Sequence, residues 1–449
     1  MADMTIKGAT VVTGAGTRRA DIAVRDGSII AVQPDLQPAG TVVDASGLLV
    51  LPGMVDTHVH LMDPGPTERE DFPTGSAAAA ARGVTTIVEH THAHPIRQAS
   101  DLVDKRRYLK GRSHVDFGLA AHVWPDRIDR LHELWADGIT FFKVFTCTTH
   151  GVPGIDSNHL LDTLQTAAGF GGVCLIHCED ELITAEAEQA LKKAGRTDNG
   201  VIIEWRTREA EEAAIAVVAE LVRTTGASAT IAHVSNPRAA RLVTEARAAG
   251  ADLSAEACPQ YFALRQDEIL DKGPFRKFTP PARIRSDAEE RAMLDLLANG
   301  TFSHFSTDHA PSTPEQKMKG DIWEAPFGLP GLDSTFPWLL DAALSGIIPL
   351  PKVAELYSEA PARRYGLSPR KGRLAEGADA DLVLVDPESD FELTDETVIS
   401  KAGWSPYSGR VFRGRVVATY LRGSEIARDG SPHDERSGAF LPGAGGRDE

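Results

Sequence analysis

The 449-residue chain is poor in cysteine, in aromatic residues and in basic charge, and it has no long apolar run. Its four cysteines, Cys147, Cys174, Cys178 and Cys258, form no C-x-x-C pair. That argues against both a structural zinc module and a disulfide scaffold, so reduced thiols in a cytoplasm are expected. Lysine and arginine total 47 against 64 acidic side chains, a net charge of −17. Such a balance does not steer a protein toward phosphate backbones or anionic lipid, so neither nucleic acid nor a membrane is expected as a partner. No stretch approaches the roughly 18 apolar residues of a membrane span. "MADMTIKGATVV" lacks the basic and apolar regions of a signal peptide. A soluble cytoplasmic protein acting on a small molecule fits these absences.

Residues 4 to 50 read as short strands separated by turns, with Asp-Gly and Ser-Gly supplying the turn chemistry. From about residue 53, short apolar runs alternate with amphipathic segments at 97–112, 126–137, 205–226 and 236–249. That alternation is the pattern of a parallel sheet with crossover helices. Eight candidate strands can be counted: "LPGMVDTHVH", "VTTIVEH", "VDFGLAAH", "ITFFKVFT", "GVCLIHC", "SATIAHVS", "ADLSAEAC" and "FSHFSTD". They predict an α/β fold, a (β/α)8 TIM-type barrel over 53–369. The chain returns to strand-and-turn composition near its end. Residues 1–52 and 370–449 are therefore expected to form one small β-sandwich domain, with "SGAFLPGAGGRDE" as a loose tail or subunit contact.

Chemistry in such a barrel collects at the carboxyl ends of the strands, because the layers below are filled by apolar side chains. His58 and His60 end strand 1 and point to the same side, Lys143 lies inside strand 4, His177 ends strand 5, His233 ends strand 6 and Asp308 ends strand 8. A lone histidine ending an apolar strand is more often structural than a ligand, but four imidazoles with one amine and one carboxylate would converge on one mouth. A buried lysine must be paired, neutral or chemically converted. A neutral amine can react with carbon dioxide to give a carbamate, whose two oxygens can each bind a metal.

These residues, with "LIHCED", "EACPQYF", "FTPPAR", "FSTDHAP" and "KGRLAEGADADLVLVD", resemble the cyclic-amide branch of the amidohydrolase superfamily: hydantoinases, dihydropyrimidinases, allantoinases and dihydroorotases. The resemblance implies two divalent metal ions, zinc or alternatively manganese. His58 and His60 would hold one ion and His177 and His233 the other, with carbamylated Lys143 bridging them and Asp308 beside the first. It implies hydrolysis of a ring C–N bond in a cyclic amide, ureide or imide, with Asp308 as the catalytic proton shuttle. It also implies a homo-oligomer, a tetramer or dimer.

Several positions bear on the ring that is opened. Met62 stands where dihydroorotases commonly carry a substrate-binding arginine, and Thr148 where many hydantoinases carry a tyrosine that allantoinases lack. Thr279 in "FTPPAR" matches a serine or threonine of the family's substrate position, and Gly328 and Gly331 allow a ring to approach the backbone. "VEHTHAHP" replaces the usual "EMPLN" or "DMPNT". His90, His92 and His94 are not assigned to metal here, and His92 is taken as a substrate donor. Arg276, Lys277, Arg283 and Arg285 read as solvated charges. Three other readings compete: a dihydroorotase, a non-catalytic dihydropyrimidinase-like scaffold, and a mononuclear deaminase of the same superfamily. Retention of all six candidate ligands argues against the scaffold, and Lys143 against the deaminase.

Overall fold

The computed structural model describes residues 2–446. Eight parallel strand segments lie in the order expected from the sequence: Met54–Val59, Val84–Glu89, Asp116–Leu119 continued by Ala121–His122, Phe142–Phe145, Val173–His177, Ser228–Ile231, Leu253–Ala257 and His304–Phe305. Neighbours pair in parallel register around the series. A bridge between Val59 and His309 closes the ring from the eighth strand to the first. The strands are short and buried along their length, as barrel strands covered by helices must be.

The intervening helices begin where polar side chains can satisfy free backbone N–H groups. Asp71, Asp156, Asp180, Thr207, Asn236 and Ser286 each cap a helix in this way. The alanine-rich stretch forms the helix Phe72–Ala81, buried on nearly every side, where small residues let it pack closely. Among the described residues, no helix is long and apolar enough to cross a membrane.

Both chain ends build a separate, mainly antiparallel sheet of nine strands. The strand Leu382–Leu393 from the C-terminal part pairs with Leu49–Pro52 from the N-terminal part. Met4, Ile6, Ile22, Val24, Leu382, Leu384 and Tyr420 share its hydrophobic cluster.

The tail departs from expectation. Residues up to 446 are docked: Phe117 donates its N–H to the Ala439 carbonyl, Leu441 to the Phe117 carbonyl and Gly443 to that of Gly138. Leu441 is buried. An extended segment beside an otherwise unpaired strand edge gains backbone hydrogen bonds and apolar burial together, which its Gly-rich composition conceals. Residues 447–449 lie outside the described residues.

An ionic hub joins the two sheets. The Lys371 ammonium, 1% exposed, lies 2.6 Å from Asp116, 2.7 Å from Asp379 and 2.8 Å from Asp381. Arg422 also meets Asp116 and reaches the Ser437 carbonyl. Replacing Lys371 with Met leaves buried carboxylates without their cation, so a stability loss of about 3–5 kcal/mol is expected. Denaturant unfolding of the purified variant checks this, and an unchanged midpoint would contradict the hub's role.

Candidate metal centre

All six residues singled out at the strand ends meet at one mouth of the barrel. His58, His60, Lys143, His177 and His233 are each no more than 3% exposed. The Lys143 Nζ is 3.2 Å from His58 Nε2, and His177 Nδ1 is 3.0 Å from His233 Nε2. Asp308 Oδ1 lies 3.2 Å from His58 Nε2 and 3.4 Å from His60 Nε2. His233 and Asp308 adopt φ of 37° and 51°, left-handed conformations that cost non-glycine residues energy and recur where side-chain placement matters.

The outer nitrogens of three imidazoles are anchored, which leaves the other nitrogen of each facing inward. His58 Nδ1 pairs with Glu256 at 2.8 Å, His60 Nδ1 with the His90 carbonyl at 2.8 Å, and His177 Nε2 with Glu179 at 2.9 Å. Glu256 also accepts the His233 backbone N–H at 2.9 Å. Carboxylate-held imidazoles of this kind are the ordinary support of metal sites, because the outer partner fixes tautomer and ring orientation. The inward donors, imidazole nitrogens and a carboxylate beside an amine, suit borderline divalent ions such as zinc.

Electrostatics follow from burial. Desolvation pushes the Lys143 ammonium down to about 8, against the pull of Glu256 and Asp308. Burial alone would raise Asp308, but His58, His60 and His233 hold it well below the usual carboxylate range. Desolvation of Glu256 is likewise overcome by His58 and His304. Asp56, buried under the centre, is raised by desolvation to about 6; it accepts from Tyr357 at 2.7 Å and from the His58 and Thr307 backbones.

The residues expected to meet substrate are spread more widely. Thr279 is buried, and its hydroxyl donates to Glu179 at 2.6 Å, which places it one contact from His177. His92 is half-buried, its ring centroid 4.3 Å from that of His60. Thr148 is exposed, and its hydrogen bonds go to Glu181, at 2.9 Å from its hydroxyl, and to Gly154 and Arg206. Gly328 and Gly331 pack on the loop that carries Asp308. A Cβ on Gly328 would stand 2.1 Å from the Ala310 carbonyl oxygen, and one on Gly331 would stand 2.9 Å from the Thr307 Cβ. The Gly331 N–H donates to His309 Nδ1.

Arg276, Lys277 and Arg283 are not solvated, contrary to the expectation from charge alone; only Arg285 is exposed. Lys277 Nζ donates to the carbonyls of Ile322, Trp323 and Ala325, Arg283 to that of Thr207, and Arg276 pairs with Glu268. Carbonyls from distant loops meet Lys277 and Arg283, and no local pattern announces them.

Sequence reading assigned no role to Glu179, Arg206 or Glu256. Arg206 Nη1 lies 3.1 Å from Glu179 Oε2, and both are buried. Glu256 had a visible signal, a carboxylate inside the apolar strand "LSAEA", analogous to Lys143 in its own strand. Arg206, on the loop between two helices, had none.

A closed parallel barrel with an imidazole, amine and carboxylate cluster at the carboxyl ends of its strands defines a hydrolase-type α/β barrel with a candidate metal centre. The chain belongs to the amidohydrolase family, whose model matches residues 49–425. It is 38% identical to an allantoinase of Rubrobacter xylanophilus over 98% of this chain and 97% of that one. It is 36% identical to an allantoinase of Bacillus velezensis over 98% and 96%. Among solved structures, an L-hydantoinase (dihydropyrimidinase) from Arthrobacter aurescens superposes with a TM-score of 0.94 at 30% identity, covering 98% of this chain and all of that one. The protein is a cyclic amidohydrolase, a hydrolase of C–N bonds in cyclic amides.

Replacing Arg206 with Met strands the buried Glu179 carboxylate, and a loss of about 3–5 kcal/mol is expected. Thermal unfolding of the variant beside wild type checks this; equal midpoints would mean that Glu179 is satisfied without its arginine.

Proposed function

We propose that the protein is an allantoinase that opens the hydantoin ring of allantoin, with two divalent ions held by His58, His60, His177, His233, Asp308 and a carbamate on Lys143. The observation that carries the substrate is the full-length similarity to two allantoinases at 36–38% identity. Thr148, at a position where many hydantoinases carry a tyrosine that allantoinases lack, agrees with it. The inward-facing donor set supports the metals, with zinc favoured and manganese second.

When bound, such ions supply a water of lowered pKa and polarise the ring carbonyl. The chain's own residues do the rest. A Lys143 amine held near 8 has a neutral fraction at neutral pH; its lone pair attacks carbon dioxide, forms the N–C bond and loses a proton, leaving a carbamate anion. Asp308, kept ionised by three imidazoles, accepts the proton of the attacking water and delivers it to the ring nitrogen as the carbonyl C–N bond breaks. Water is thereby added across the bond, and the product is an open-chain ureido carboxylate. Glu256, Glu179 and the His90 carbonyl hold the imidazoles still during this transfer.

A hydantoinase acting on 5-substituted hydantoins is the second reading, favoured by the structural likeness to the L-hydantoinase. Allantoin is itself a hydantoin with a ureido substituent, so the ring chemistry is shared. Assembly into a homo-oligomer and a cytoplasmic location belong to the same proposal, the latter supported by four buried free cysteines.

Zinc- or manganese-loaded protein is expected to open allantoin at least tenfold faster, by kcat/KM, than 5-substituted hydantoins, dihydrouracil or dihydroorotate. A hydantoin preferred over allantoin would replace the first reading with the second. An absence of stoichiometric metal and of turnover would point to a scaffold. Asp308→Asn is expected to lower kcat by about 10²–10⁴, the usual worth of a positioned acid–base group. Undiminished turnover with both ions retained would remove Asp308 from the proton-transfer role.

A further inference from the structure

The second barrel strand, Val84–Glu89, delivers a histidine that the six-residue set leaves out. His90 is 1% exposed, and neither of its ring nitrogens has a hydrogen-bond partner. By contrast, the outer nitrogens of His58, His60 and His177 are each held by a carboxylate or a carbonyl. A buried imidazole with no protein partner on either nitrogen is an unsatisfied polar group, which native cores rarely retain without a role.

Its position is fixed from the backbone outward. The His90 N–H donates to the Val59 carbonyl, and its own carbonyl accepts from His60 Nδ1. The ring is thereby set 4.8 Å from that of His58 and 4.4 Å from that of His60, centroid to centroid. These separations match the 5.3 Å between His58 and His60 and the 4.8 Å between His177 and His233. One ring nitrogen from each of His58, His60 and His90 falls within 4.8 Å of the others. His92, two residues on, turns instead to His122, with their ring nitrogens 3.2 Å apart, so His90 alone of this histidine-rich segment is left unpartnered beside the centre.

We propose that His90 is a third imidazole ligand to the divalent ion held by His58 and His60. The proposal rests on the metal centre described under the proposed function and adds a protein ligand to it. An added imidazole favours zinc, cobalt or nickel over manganese, because nitrogen donors suit the later ions better than oxygen-seeking ones. It also occupies a coordination position that water or substrate would otherwise take.

The direct test is a crystal structure of the zinc-loaded wild-type protein with anomalous data at the zinc edge. A His90 ring nitrogen at about 2.1 Å from the ion supports the inference. A nitrogen separated from the ion by a water overturns it. Calorimetric titration of metal-free His90→Ala and His90→Asn proteins, checked for folding by circular dichroism, gives a second readout. One of the two ions is expected to bind at least tenfold more weakly in both variants, with zinc losing more than manganese. The visible spectrum of the cobalt-loaded variants is expected to change for that ion alone. Two ions bound with unchanged affinity and an unchanged cobalt spectrum would overturn the inference while leaving the binuclear centre standing. A wild-type protein that takes up no ions would overturn both.

Discussion

A full carboxylate in the middle of a barrel strand is the constraint on which the polar architecture turns. Glu256 is inaccessible to water, and an unpaired charge there would cost far more than one hydrogen bond returns. Its Oε2 is met by His58 from strand 1 and by the His233 backbone N–H from strand 6, while its Oε1 has His304 from strand 8 at 3.7 Å and no hydrogen bond among the described residues. Four strands are thus tied at one level. The imidazole that stabilises the charge has its inward nitrogen aimed by the same bond. Glu179 repeats the device on the opposite side of the mouth, with Arg206 as its counter-ion and Thr279 as a further donor.

Below this layer Asp56 sets the loop that carries Asp308. It accepts from the Thr307 backbone, while the Thr307 hydroxyl donates to the His58 carbonyl, so strand 1 and the loop after strand 8 are fixed to each other. The left-handed backbone at Asp308 is held by its neighbours on that loop, which pack directly on Gly328 and Gly331. The two glycines therefore act on the site through the fold: they admit the loop that places the carboxylate. A side chain at either would displace that loop before it touched any ligand.

The strands and the six strand-end residues were legible because their signals are local. An apolar run ending in histidine, or interrupted by lysine, carries its message within a few residues. Arg206, Lys277 and Arg283 were not legible because their partners arrive from loops tens of residues away. A charged residue in a loop looks solvated until the chain closes over it. The tail at 437–446 was misread for the opposite reason: its glycines suggest freedom, whereas here they let Gly443 and Gly445 lie against Ile139 and Trp135 with no room for a Cβ.

The same distinction explains why the reaction class is better defined than the ring substituent. The atoms that break a cyclic amide are held by strands, whose register allows little variation. Beside the six, the loops after strands 2 and 4 and the end of strand 3 bring three more imidazoles together, His92 stacking on His150 at 4.7 Å and pairing with His122. Neutral imidazoles can each donate one hydrogen bond and accept another, and burial keeps these three from charging. A ureido group offers both donors and acceptors, whereas an alkyl or aryl substituent offers neither. A loop that surrounds the entrance with imidazoles would leave its polar groups unpaired against an apolar substituent, and such a mismatch discriminates more strongly than shape.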